Sequence, residues 1–402
     1  MRYSDIGNQL KDSGLGDLLA LAGKPEMYNF SSGFPAEELF PLKELEEVNH
    51  AILAREGKQA VQYGSSAGYL PLREQIAARM KQVFHVSCNA EQVFITSGSQ
   101  QGLSLLGQLF LNKDDVVLVE TPTYLGAINA FQISGPKFVE IPTDEQGVIP
   151  EALEEILRTT ERVRMMYVIP EFQNPTGVTW TMERRRAVME IVNRYDFPVL
   201  EDNPYGELRY NGETVPALKS MDTKGNVIFL GSFSKILMPG LRVGWIVAEP
   251  EILDKLNLLK QNVDLQCSSY AQRQVSFFME MFDLDAHVET LKTLYRKRRT
   301  LLYDSIQKYF PSGVTATYPE GGLFLWVTLP KGMDAKALAA KATARKVAYV
   351  PGAPFYPNGG HGNHLRLNFS TMQENRIVEG IKILGHLLNE EVDQANESKS
   401  RD

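Results

Sequence analysis

Short apolar, β-branched runs alternating with segments of helical period constrain this chain more than any other feature. The clearest runs are residues 116–119, 165–169, 199–200 and 227–230. Between them, residues 182–195 have the length and charge pattern of a helix packed on a surface, and residues 100–111 look like a mostly buried one. That alternation predicts βαβ units and a largely parallel sheet, hence an α/β fold.

With 402 residues the chain is long for one core and fits two domains. After about Gln261 the texture changes: a helical stretch rich in Arg and Lys (291–309) leads into a strand at 321–327. Further strands are expected at 348–350 and 365–369, and a helix at 374–389; residues 390–402 are polar and expected to fray. A second, smaller α+β unit follows from that order. The expected division is an N-terminal arm with part of the small domain (1–45), a large domain (46–285) and a small C-terminal domain (286–402).

Charge excludes some functions. A formal net charge of −7 argues against a nucleic-acid binder, which needs Lys and Arg to neutralise phosphates. The two cysteines, Cys88 and Cys267, stand far apart and outside any metal-ligand spacing, so a reducing cytoplasm is expected. The N-terminal residues lack the pattern of a secretory signal. No apolar stretch approaches the roughly 20 residues that span a bilayer. His361 and His364 share a Gly-rich loop with no acidic or cysteine companion, so no metal site is expected there.

The chemistry-bearing residues cluster just beyond the expected strands, where ligands collect in open α/β sheets. Gly98-Ser99-Gln100-Gln101-Gly102 opens a helix after a strand, and the free N–H groups of a helix start suit a phosphate. Lys235, in Gly231-Ser232-Phe233-Ser234-Lys235, and Arg242, in Pro239-Gly240-Leu241-Arg242, make an anion pocket with an amine at its rim. Asp202 ends another strand, where an acid can hold a pyridine nitrogen protonated or simply start a turn. Asn174-Pro175-Thr176-Gly177 is a turn by its chemistry. Tyr124 can lie on a planar cofactor or pack in a core. Arg366 sits in an alternating strand, where the default is a solvent-facing arginine.

The order and context of these segments resemble the fold-type I pyridoxal 5′-phosphate (PLP) aminotransferases of class I/II along nearly the whole chain. Within them the resemblance is to the branch of 2-aminoadipate and kynurenine/aminoadipate aminotransferases and of the aminotransferase-like domains of MocR-type regulators. It rests on Ser97-Gly98-Ser99-Gln100-Gln101-Gly102, Asn174-Pro175-Thr176-Gly177, Ser232-Phe233-Ser234-Lys235 and Pro239-Gly240-Leu241-Arg242-Val243-Gly244 together. The resemblance implies a three-layer αβα large domain with a smaller α+β domain, and a ping-pong amino transfer from an α-amino acid to a 2-oxo acid. It implies that Lys235 forms the Schiff base and carries the proton between substrate Cα and cofactor C4′. Asp202 would pair with the pyridine nitrogen, Tyr205 and Asn174 with the ring oxygen, and Tyr124 would stack on the ring. Ser99, Gln100, Ser232, Ser234 and Arg242 would hold the phosphate.

It further implies that Arg366 grips the substrate α-carboxylate and that Gly33, in Ser31-Ser32-Gly33-Phe34-Pro35, lines the substrate pocket. Tyr63, in Gln62-Tyr63-Gly64, would reach the phosphate of a neighbouring subunit, making the enzyme a homodimer. Relatives that favour dicarboxylic substrates carry an Arg where this chain has Gly16, so an apolar or aromatic side chain gains weight. Two alternatives remain: a PLP lyase or decarboxylase on the same fold, and a ligand-sensing module, against which the match starting near the N-terminus leaves no room for a DNA reader.

Overall fold

The structure is a computed structural model that describes residues 2–9 and 24–399; Gly16 lies outside the described residues. Seven strands build the central sheet: β1 (Val93–Thr96), β2 (Val116–Glu120), β3 (Lys137–Ile141), β4 (Val163–Val168), β5 (Val199–Asp202), β6 (Val227–Ser232) and β7 (Gly244–Val247). Their order is β1-β7-β6-β5-β4-β2-β3. All neighbours from β6 to β3 run parallel, whereas β7 is antiparallel to both β1 and β6.

Strand geometry sends successive side chains to opposite faces, and here both faces are covered. Val117, Val119, Met165, Tyr167, Leu200, Ile228 and Leu230 enter one apolar cluster together with Leu103, Leu106 and Phe131. Val116, Leu118, Met166, Val168, Val199 and Val227 enter another, with Leu153, Val188 and Val192. Burying a Val, Leu or Ile completely is worth about 1.5–3 kcal/mol, so a strand that is apolar on both faces belongs in a middle layer. This is the reason the expected runs formed the sheet. The strand at 137–141 was not expected. It is a half-exposed edge carrying Lys137 and Glu140, so it lacks the apolar run that marked the others.

A four-stranded antiparallel sheet lies in the C-terminal part, in the order β8 (Thr315–Ala316), β9 (Phe324–Thr328), β11 (His364–Asn368), β10 (Val350–Pro351). Leu365 and Leu367 point into the main apolar cluster. Arg366 therefore points the other way, in a cross-strand row with Trp326 and Val350. The short strand Tyr28–Asn29 pairs in parallel with Val347–Ala348, and Asn368 donates its backbone N–H to Phe30 O at 2.9 Å. These bonds carry residues 31–34 onto the cavity described below.

Two helices outrun expectation. Leu284–Tyr309 starts seven residues before 291, because Asp283 caps it by accepting from the Ala286 N–H at 3.0 Å. The C-terminal helix, Glu374–Lys399, includes residues 390–399 of the stretch expected to fray. Lys341–Glu391 (2.5 Å) and Arg345–Glu390 (2.6 Å) ion pairs tie that stretch to helix Ala335–Ala344, an attachment invisible to local composition. Among the described residues no helix is long and apolar enough to cross a membrane.

Candidate active site

Because β4, β5 and β6 are parallel neighbours, the residues leaving their carboxyl ends share one edge of the sheet. Two adjoining cavities lie there, of about 400 and 220 Å³. Gln100, Tyr124, Asn174, Tyr205 and Lys235 line both. The smaller adds Ser99, Asp202, Ser232, Ser234 and Arg242; the larger adds Gly33 and Arg366. The fold thus gathers every site residue expected from the sequence except Tyr63, which stands 79% exposed away from these cavities.

At one end of the smaller cavity, β1 turns into helix Gly98–Phe110. Gly98 holds φ +70°, and a Cβ there would lie 2.2 Å from Arg242 Nη2. Only glycine lets that guanidinium fold over the turn, where Nη2 donates to Ser97 O at 3.2 Å. Ser232 Oγ accepts from the Ser234 N–H at 3.1 Å, and Arg242 Nη1 reaches Ser234 Oγ at 3.4 Å. A helix start, hydroxyls and a guanidinium make a cradle for a phosphate. Gly98→Ala is expected to weaken cofactor binding about tenfold and to destabilise the protein by ~1 kcal/mol or more, since it forces a side chain into the left-handed region. Titration of the apoprotein with cofactor, followed by thermal melting, checks both.

At the other end Asp202 is buried, and Oδ1 has no hydrogen-bond partner while Oδ2 accepts from the Tyr167 hydroxyl at 2.8 Å. Burial raises the Asp202 pKa to about 7, with the Tyr167 hydrogen bond pulling the other way. A buried acceptor without a donor is costly, so this carboxylate is built for a ligand's N–H. Lys235 lies between the two ends, its Nζ donating to Gly33 O at 2.8 Å. Burial, reinforced by the Arg242 and Arg366 charges, lowers its pKa to about 8, which leaves a useful fraction of neutral amine at neutral pH.

The larger cavity is the substrate side. Arg366, expected to face solvent, is 8% exposed, because the N-terminal segment and the Asn174 turn cover its face of the small sheet. Nη1 donates to Asn174 Oδ1 at 2.9 Å and Nη2 to Ser31 O at 2.8 Å, while Nε has no partner. Its guanidinium lies over the Phe324 ring, 4.1 Å from the centroid. Burial lowers its pKa to about 10, well above neutrality, so it remains a cation. Gly33 lines this cavity, and a Cβ there would meet Phe324 Cζ at 2.9 Å, so the glycine lets its backbone pass close to that ring while its carbonyl accepts from Lys235.

Some contributors were not legible. Tyr167 sits inside an apolar strand and read as core. Gly126 escaped notice, although a Cβ there would lie 2.4 Å from Tyr124 Cζ; it lets that ring fold back over its own helix. Phe34, Phe324 and Phe355 line the larger cavity but look like any apolar residue in sequence. The two histidines are packed, His361 stacking on Tyr356 at 4.4 Å and His364 on Trp326 at 5.3 Å.

A parallel sheet with a lysine, an unpartnered buried aspartate and a phosphate cradle at its carboxyl edge defines a fold-type I PLP-dependent enzyme. The chain belongs to the aminotransferase class I and II family, whose profile matches residues 25–384. It is 42% identical over 394 residues to aromatic-amino-acid aminotransferase 1 of Thermococcus litoralis, covering 97% of this chain and 94% of that one. The kynurenine aminotransferase of Pyrococcus horikoshii, solved in complex with PMP, superposes with a TM-score of 0.93 at 38% identity, covering 97% of each chain. The α-aminoadipate aminotransferase of Thermus thermophilus, solved with N-(5′-phosphopyridoxyl)-L-leucine, gives 0.91 at 37% identity over 98% of each chain. The protein is an aminotransferase that uses PLP and acts on amino acids and 2-oxo acids.

Proposed function

We propose that transfer runs by a ping-pong course on α-amino acids with a large apolar or aromatic side chain. The observation that carries this reading is the single carboxylate fork, Arg366, opening into a cavity whose walls include Phe34, Leu125, Phe324, Val350 and Phe355, with Ser31, Ser32 and Asn129 as uncharged polar neighbours. One fork serves one α-carboxylate, so amino donor and oxo acid take turns in the same place. Among the described residues lining that cavity, Lys235 and Arg366 are the cations. A second, distal carboxylate would be buried poorly paired, a loss of several kcal/mol.

When bound, PLP supplies an aldehyde that captures the amino group and a cationic ring that withdraws electrons from Cα. Ser99, Gln100, Ser232, Ser234 and Arg242 would hold the phosphate, Asp202 would pair with the ring nitrogen, Tyr124 would stack on the ring, and Asn174 and Tyr205 would bond its oxygen. Arg366 orients the substrate by its α-carboxylate, using the N–H groups that Asn174 and Ser31 leave free. Lys235, through the neutral fraction of its Nζ, would take the proton from substrate Cα and deliver it to the cofactor's C4′. The aromatic walls exclude water from that transfer.

The division into residues 46–285 and a smaller unit from 1–45 and 286–402 belongs to the same proposal, supported by the pairing of Tyr28–Asn29 with Val347–Ala348. So does a cytoplasmic homodimer with Tyr63 reaching the partner's phosphate. Its support is the apolar surface around Tyr63, where Val61, Leu70, Val263 and Leu265 are each more than half exposed. A panel of amino acids followed by the change in cofactor absorbance, then re-oxidised with 2-oxoglutarate or pyruvate, tests the reading. Phenylalanine and leucine are expected to exceed aminoadipate in kcat/KM by about tenfold or more. Aminoadipate in the lead overturns the substrate assignment, and a steady-state pattern of intersecting lines overturns the ping-pong course.

A further inference from the structure

We propose that Tyr167 is a positioning residue for the cofactor's ring nitrogen, its hydroxyl fixing Asp202 so that one carboxylate oxygen is left for that nitrogen. This rests on the cofactor-binding roles proposed above and assigns the group that makes Asp202 fit for its own.

Tyr167 and Leu200 are register partners on β4 and β5, and Asp202 follows Leu200 by two residues on the same face. The phenol therefore reaches the aspartate diagonally across neighbouring strands. Tyr167 is fully buried in an apolar cluster, with Tyr124 and Glu120 as the other titratable groups near its hydroxyl besides Asp202. Its ring is clamped edge-on by Phe131, with centroids 5.6 Å apart and planes at 73°, which aims the hydroxyl. A phenylalanine would fill the same space. The hydroxyl in that strand is explained by its single bond, 2.8 Å to Asp202 Oδ2.

From the acid's side the arrangement is asymmetric. One oxygen is engaged and the other is free, although both are buried. Tyr167 is the donor recorded to the Asp202 side chain among the described residues. The other polar groups around it are the phenols of Tyr124 and Tyr205, which burial keeps protonated, and Lys235 and Arg242 along the same cavity. With burial favouring the neutral acid, the phenol supplies the opposing pull towards the carboxylate. A carboxylate, unlike a neutral acid, stabilises a protonated pyridine.

Tyr167→Phe keeps the ring and its packing and removes the donor alone. Cofactor affinity of the apoprotein is expected to fall about tenfold. The loss of affinity on acidification should begin at higher pH than in the parent, since the aspartate then takes up its proton more readily. The bound cofactor's absorbance should titrate with the same displacement. In an Asp202→Asn background the same substitution should change affinity less than twofold. Unchanged affinity and unchanged pH dependence in Tyr167→Phe overturn the inference, as does an equal loss in the Asp202→Asn background. Melting of the apoprotein shows whether the variant is folded; should it not be, Asp202→Asn with and without Tyr167→Phe, compared by holoprotein spectra, decides on the same criterion. A parent protein that takes up no PLP would instead sink the cofactor roles themselves.

Discussion

Lys235→Ala is expected to abolish amino transfer, lowering kcat by about 10²–10⁴-fold from the lost proton transfer alone and further from the lost covalent capture of the cofactor. Among the described residues no other amine lines the cavities, so none of them substitutes. The protein should fold and still hold the cofactor non-covalently through the phosphate cradle, visible as a changed absorbance spectrum without loss of stoichiometry. The parent should show a matching pH dependence. With the amine's pKa lowered to about 8, the neutral, reactive fraction grows about tenfold per pH unit below that value and levels above it. Rates of cofactor uptake by the apoprotein, measured from pH 6 to 9, check the sign. Turnover by Lys235→Ala at the parent's rate would discard the assignment.

Arg366→Ala carries the second large effect. The guanidinium is the cation facing the larger cavity beside Lys235, and a charge-assisted fork to a carboxylate is worth about 1.5–3 kcal/mol. A loss of about 10–100-fold in kcat/KM is expected for every α-amino acid, whatever its side chain. Arg366→Lys should recover only part, because an ammonium keeps the charge and loses the planar fork. Removing the carboxylate from the substrate should erase the difference: a simple primary amine should react equally slowly with parent and variant. A selective loss, confined to one class of side chain, would place Arg366 at the distal end of the substrate instead.

Much of this site was legible because its residues obey local rules. Strands apolar on both faces announce a buried sheet, and polar residues just beyond them announce its ligand edge. Lys235, Asp202, Ser99 and Arg242 stood there by position alone, and the motifs around them led to the family that the match over residues 25–384 shows. Other features were less legible for equally physical reasons. Arg366 was reached only through the family resemblance, since its strand's alternation reads as solvent-facing and its burial comes from Ser31 and Asn174, 335 and 192 positions away. Tyr167 resembled core because one hydroxyl on a buried ring leaves no trace in periodicity. Glu390 and Glu391 looked like a fraying end until two cations on another helix met them.

Sequence by itself determined the α/β class and the sheet's main strands, since these depend on short-range pattern in period and turn chemistry; the expected cofactor residues came from motifs that resemble the family. Only the tertiary structure decided how the substrate end is assembled. There a carbonyl from Gly33 meets Lys235, a turn at Asn174 meets Arg366, and Phe324 backs both. Such contacts join segments far apart in the chain, and their energies come from burial and hydrogen-bond geometry that no local window contains.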